Sequence, residues 1–205
     1  MTYYGVSFCT RLPKGQNMSV YASLRDHFLI AMPTMGDPHF THSVIYICEH
    51  SPEGAMGIVI NLPLNIHLGD VLQNMSIEIS DDKVSQTPVL AGGPIQQERG
   101  FVLHRTTKDK WESSLALTNN ISITTSKDIL MAIADHKGPK DVIIALGYAG
   151  WESGQLEKEI AQNAWLCGPA NPQVLFDIPP ENRWRAAGAL LGVDMDCVSS
   201  EVGHA

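Results

Sequence analysis

The stretch "DVIIALG", residues 141–147, constrains the fold more than any other part of the chain. Its apolar residues do not alternate with polar ones, so a strand formed here has to be covered on both faces. It therefore belongs in the middle of a sheet, with an apolar layer above it and another below. Directly after it comes "YAGWES" and then "GQLEKEIAQNA", in which Leu156, Ile160 and Ala164 recur at helical spacing and make one apolar stripe. Gly147, Gly150 and Gly154 fall in the connection, where missing β-carbons permit unusual dihedrals. The expectation is a strand that ends at Gly147, a glycine corner, and a helix capped by Ser153.

The first half of the chain is different. "HFLIAM" reads as a strand stopped by Pro33, and "SVIYICEH" and "AMGIVIN" read as a hairpin turned by "SPEG". Leu68, Val71, Leu72 and Met75 share one face of a short helix, and "SIEISDDKVSQT" reads as an exposed loop. Strands are expected at "PVLAG" and "GFVLHR", joined by "GPIQQER", and at "SSLALT" and "ISITT", joined by "NN", making the middle third mostly antiparallel. "TSKDILMAIADHKG" has a Thr125 or Ser126 N-cap, Asp128 in the first turn and Gly138 past the end. "WLCGPA" reads as a strand, and "NPQVLF" and "PENRWRAAGALLG" as helices that begin at proline. Hairpins first and helices interleaved later indicate an α+β class. Residues 1–22 read as a flexible extension, with Met18 an alternative start, and residues 193–205 as a frayed tail.

Composition narrows the setting. The chain has 205 residues, 44% of them hydrophobic and 18% charged, which suits one domain with a sizeable core. A formal net charge of −8 with scattered Lys and Arg disfavours direct nucleic-acid binding, which draws its affinity from clustered cations. Its apolar runs fall well short of the roughly 20 residues of a membrane span, and the N-terminal stretch has no signal-peptide pattern. A cytoplasmic monomer is expected. Cys9, Cys48, Cys167 and Cys197 form no C-x-x-C pair and read as reduced thiols, with Cys48 and Cys167 buried in strands.

Motif by motif, the glycine corner departs from the known phosphate and nucleophile patterns. At the offsets of a dinucleotide fingerprint, Gly147 is followed by Ala149 and Glu152; at the Walker position Glu152 would repel phosphate; and "GWESG" puts Ser153 one place late for a nucleophile elbow. The corner reads as a packed junction whose rim forms one wall of a pocket. Its exposed aromatic and polar groups, together with the arginine beside the "GGP" turn, make Arg99, Tyr148, Trp151 and Gln155 the candidate ligand surface. His39, His42, Cys48 and His50 cluster in sequence, and Cys48 and His50 would share one face of a strand, but no third or fourth ligand completes a zinc pattern. No catalytic, cofactor-binding or metal-ligating residue is assigned.

Taken in order, "HFLIAMPTMGDPHF", "SVIYICEH", "GAMGIVIN", "GGP" with "RGFVLH", "TTSKDIL" and "LGYAGWESGQLEKEI" with "NAWL" closely resemble the bacterial YqgE/AlgH family of uncharacterised proteins, over about residues 23–192. The resemblance implies a single compact domain with a branched mixed sheet, part of it curled into a small barrel and surrounded by helices. It also implies an association with regulation of alginate production and other transcription. The acidic charge and the absence of a helix-turn-helix pattern favour an indirect role, through an unknown protein or small-molecule partner. The alternative is an enzyme whose site is assembled from separated residues.

Overall fold

A computed structural model of the protein describes residues 22–79 and 81–198. Its trunk is β9, Val142–Glu152, which contains the "DVIIALG" run. Ile143 and Ala145 enter one core, Ile144 enters another, and Ala149 and Trp151 a third. The two-sided burial expected of this strand is what makes it the branch point. On one flank β9 pairs in antiparallel with β6, Ile95–Arg105; parallel to it on the other lies β5, Pro88–Ala91. Further along, residues 149–152 pair with β3, Gly54–Val59. Strands β3 and β5 meet where the Val59 amide donates to Gly92 O at 2.8 Å.

From β3 the sheet runs through β2, Val44–Ser51, and β1, His27–Ala31, to β10, Trp165–Pro169. From β6 it runs through β8, Ile121–Thr124, to β7, Ser114–Ala116. Strand β4, Pro63–His67, pairs with β5. The sheet curls until its two ends approach: Arg25, just before β1, donates from Nη2 to Ala116 O of β7 at 2.8 Å. Phe28, Tyr46, Leu103 and Leu117 pack inside this half-barrel. Closing its open side are α5, Pro172–Phe176, and α6, Pro180–Leu190, through Val174, Leu175 and Trp184. Helix α4, Gln155–Ala161, packs on the other face of this part of the sheet, against β3, β9 and β10, through Leu156. Helices α1, Leu68–Asn74, and α3, Lys127–Ala134, cover β9 and β6 through Leu68, Leu72, Ile129 and Ile133. The result is one α+β domain with a branched mixed sheet.

Several local expectations change. Strand β9 does not end at Gly147; it bends there, with φ 75°, and continues to Glu152 because β3 supplies partners for its second half. Ser153 does not cap α4: its hydroxyl donates to Pro52 O at 2.6 Å, and Gly154, at φ 71°, precedes the helix without a side-chain cap. Gly150 lies in strand geometry, and the left-handed positions are Gly147 and Gly154. The connector "GPIQQER" is largely strand: Ile95 faces Tyr148 and Gly100 faces Leu146, so residues 96–99 loop outward opposite Gly147. The polar stretch after Met75 contains a short helix, α2, Asp82–Ser85, capped by the Asp81 side chain. Residues 193–198 are not frayed, since Met195 is buried in the half-barrel core. Residues 1–21 and 199–205 lie outside the described residues.

Candidate functional site

The structure separates the four residues of the expected ligand surface into two pairs. Side chains alternate along a strand, so Tyr148 and Trp151, three apart, project to opposite faces of β9. Tyr148 packs edge-on against Phe101 with ring centroids 5.9 Å apart, and the Arg99 guanidinium lies over that same Phe101 ring at 5.4 Å. Trp151 is buried on the α4 side, where its indole N–H donates to Glu159 Oε2 at 2.9 Å. Trp165 donates to the same oxygen at 2.8 Å, and Gln155 Nε2 donates to Glu159 Oε1 at 2.9 Å. Through Glu159, Trp151 ties α4 to β9 and Trp165 ties it to β10, while Gln155 Oε1 accepts from the Glu152 amide at the end of β9.

The histidine-rich stretch also divides. The Leu24 amide donates to His50 Nδ1 at 2.8 Å, so the neutral ring carries its proton on Nε2 and directs it to Glu157 Oε1 at 3.1 Å. Cys48 points into the half-barrel core, where burial pushes its thiol up to about 12. Among the described residues no three His, Cys, Asp or Glu side chains gather where they could hold a metal ion.

His39 and His42 remain exposed on the loop between β1 and β2, and a cleft lies on each side of that loop. The smaller, about 210 Å³, is lined by His39, Leu64, Gly93, Gln97 and Leu146 among others. Its wall is tight backbone: a β-carbon on Gly93, whose φ is 152°, would stand 2.1 Å from the Tyr148 carbonyl carbon. This is the nearest approach of the glycine junction to a cleft, made by Leu146 and Gly93 and not by Trp151.

The larger cleft, about 540 Å³, lies between this loop, the Asn61 turn and α6. Asn61 fixes one wall, accepting from the Val44 amide at 2.7 Å and donating to His42 O at 2.8 Å. Held this way, His42 adopts φ 53° and sets its ring edge-on to Trp184, with centroids 4.5 Å apart. Trp184 in turn is oriented by its indole N–H, which donates to Ala31 O at 2.9 Å. On α6, Glu181, Trp184, Arg185 and Gly188 recur at helical spacing, so one stripe serves the cleft and its margin.

Behind that stripe Arg183 is buried, donating to Ile178 O at 2.9 Å and to Ile60 O. It forms no carboxylate ion pair among the described residues, and burial pulls its guanidinium down to about 10. Beyond α6 the chain turns back across the cleft: Met195 fits over Gly188, where a β-carbon would come within 2.3 Å of its Cγ, and Asp196 takes hydrogen bonds from Arg185 Nε at 2.7 and 3.0 Å. That hydrogen bond from Arg185 holds the Asp196 carboxyl below its ordinary range. The cleft thus offers an aromatic floor with an imidazole and a guanidinium at its rim.

Sequence reasoning missed this cleft. Its only sequence signal is the "ENRWRAAG" stripe, which reads equally well as an ordinary amphipathic helix.

A half-barrel of branched mixed sheet, with helices over its open side and an aromatic-floored cleft beside α6, defines a recognisable class of small α+β domain. The chain belongs to the DUF179, AlgH-like family, whose pattern it matches over residues 28–196. A UPF0301 protein of Thioalkalivibrio sulfidiphilus is 54% identical over 188 residues, covering 92% of this chain and 100% of the relative. A UPF0301 protein of Nitrosococcus oceani is 53% identical with the same coverage. In three dimensions the chain is similar to the solution structure of the AlgH protein from Pseudomonas aeruginosa, with TM-score 0.74 and 45% identity over 93% of this chain and 100% of that one. The crystal structure of protein DIP2367 from Corynebacterium diphtheriae shares the fold, with TM-score 0.66 at 21% identity over 86% of this chain and 91% of that one. Among the described residues no helix is long and apolar enough to cross a membrane.

Proposed function

We propose that the protein is a cytoplasmic binding or regulatory module that receives a small molecule or partner in the larger cleft and influences transcription indirectly, through that partner. The observation that carries this reading is the preset aromatic floor. Trp184, His42 and Asn61 are each oriented by contacts to the fold before any ligand arrives, which lowers the ordering cost of binding. A volume of about 540 Å³ falls in the range of small-molecule sites. An overall charge of −8 supports an indirect rather than a DNA-contacting role.

A metabolite screen by thermal shift tests this reading. Ligands that bind only the folded state raise the melting temperature, and those acting at this cleft also move the Trp184 indole N–H resonance, without turnover. Hydrolysis or group transfer that disappears on substitution of a cleft residue would replace the binding module with an enzyme. A sequence-specific mobility shift that persists at physiological salt would replace the indirect role with a direct one.

A further inference from the structure

We propose that the larger cleft takes an organic carboxylate carrying a flat apolar group, and that Asp196 occupies the carboxylate position in the free chain. The inference rests on the cleft being the binding surface, and it adds the chemistry of the ligand.

Three observations point the same way. First, Arg185 is only partly used. Its Nε alone serves both Asp196 oxygens, while Nη1 and Nη2 make no hydrogen bond among the described residues, so the internal carboxylate is held through one nitrogen where a ligand carboxylate in its place could engage two. Second, Asp196 belongs to a strap and not to the scaffold. The strap's anchor is Met195, packed over Gly188, whereas Arg185 and Asp196 are both more than half exposed, at 60% and 56%. An exposed ion pair of this kind contributes little to stability, so the carboxylate can swing away while Met195 stays seated. Third, with Asp196 displaced the cleft carries His42 and the cationic Arg185 at its rim, in a chain whose overall charge is strongly negative.

The same surroundings favour a carboxylate over a phosphate. Glu181 lies one turn before Arg185 on the same face of α6 and Asp194 lies close to Arg185, so a dianion meets two like charges, whereas a single planar carboxylate needs only the Arg185 fork. The Trp184 face then covers the apolar part of the ligand.

The test uses the full chain, labelled with ¹⁵N, and benzoate as the probe, with benzamide and inorganic phosphate as comparisons. The readout is the Trp184 indole N–H, assigned by its loss in Trp184→Phe. Benzoate is expected to bind the unaltered protein weakly, to bind Asp196→Asn about tenfold more tightly because the internal competitor is gone, and to bind Arg185→Met about tenfold more weakly. Arg185→Lys, which keeps the charge and loses the fork, should fall between, and benzamide and phosphate should leave the resonance in place. Equal benzoate affinity in Arg185→Met, or no gain in Asp196→Asn, overturns the proposal. If neutral aromatics move the Trp184 resonance and benzoate does not, the carboxylate assignment falls while the cleft remains the binding surface. If no compound in the screen moves it, both fall.

Discussion

Replacing Glu159 by alanine should cost the protein a large part of its stability, although the residue itself is only partly buried. The carboxylate accepts from the Trp151 indole at 2.9 Å, the Trp165 indole at 2.8 Å and the Gln155 amide at 2.9 Å. Both indoles lie in the core, 7% and 3% exposed, so removing the acceptor leaves two buried N–H donors with no water to turn to. A buried donor left unsatisfied costs roughly 1–3 kcal/mol, so the two indoles put Glu159→Ala at about 2–6 kcal/mol destabilising, against a typical domain stability of about 5–15 kcal/mol. Glu159→Gln keeps one oxygen for the indoles but turns an N–H₂ toward the Gln155 amide, so about 1 kcal/mol is expected. Urea unfolding followed by far-UV circular dichroism measures both changes, with an unchanged m-value as the sign that the native and denatured states stay comparable. A loss under about 0.5 kcal/mol in Glu159→Ala would refute the reasoning, because it would mean that the indoles find other partners or that water reaches them.

Other substitutions test separate parts of the structure. His104 is buried with Nδ1–H donating to Arg105 O at 2.8 Å and Nε2 beside the Thr124 hydroxyl at 2.9 Å, and burial lowers its affinity for a proton. The unfolded chain therefore binds more protons than the folded one as the pH falls through about 6.5, so this contribution to stability is complete above that pH and is lost as the pH falls; His104→Asn should flatten the slope of unfolding free energy on the acid side of about pH 6.5, and an unchanged slope would show that other histidines set it. Gly147→Ala should be severely destabilising, since φ is 75° and the added carbon would stand 2.4 Å from Gly93 O, whereas Gly150→Ala meets the tip of Ile95 at 3.0 Å and the edge of the Tyr148 ring at 3.4 Å and should cost about 1 kcal/mol or less by thermal unfolding. Tyr46→Phe removes a hydroxyl that donates to Asp26 Oδ1 at 2.8 Å, and a loss of about 1–2 kcal/mol is expected in urea titrations; a neutral outcome would show that Asp26 is satisfied by water.

The elements that were legible in the sequence are those whose signal is local. An unbroken apolar run can only be a doubly covered strand, and β9 is one; Pro180 and Gly192 mark the start of α6 and the turn beyond it because one lacks an N–H and the other tolerates φ 72°. The misplaced boundaries were set by partners distant in the chain. Gly147 reads as a strand end until β3 supplies hydrogen bonds to residues 149–152, and "QQER" reads as a connector until Ile95 pairs with Tyr148. The parallel pairing of β5 with β9 is likewise non-local, since some fifty residues separate Val89 from its partner Ile144.

The cleft was hidden for a related reason, and its residues show which kind of site this fold can hide. Asn61, His42, Trp184 and Asp196 come from four separate parts of the chain, and none lies in a motif. What brings them together is backbone chemistry. Asn61 ties down the chain at His42 and Val44, the Trp184 indole ties α6 to the end of β1, and Met195 seats the strap on Gly188. Each tie spends a side chain on a main-chain carbonyl, a main-chain amide or a glycine slot, so in sequence these residues look structural, and in the free protein they are. Among the described residues, His42, through its ring nitrogens, and Arg185, through Nη1 and Nη2, keep hydrogen-bonding capacity beside the cleft that no partner uses. An exposed arginine on an amphipathic helix carries no sequence signal, and its significance comes only from the indole beside it and the aspartate across from it. Arg185→Met is accordingly the substitution that separates the two roles of this region: it touches neither the Trp184 nor the Asn61 hydrogen bonds, so it should leave the urea unfolding midpoint unchanged while weakening benzoate binding about tenfold. A marked fall in the midpoint instead would make the pairing of Arg185 with Asp196 part of the scaffold and leave the cleft without a free recognition group.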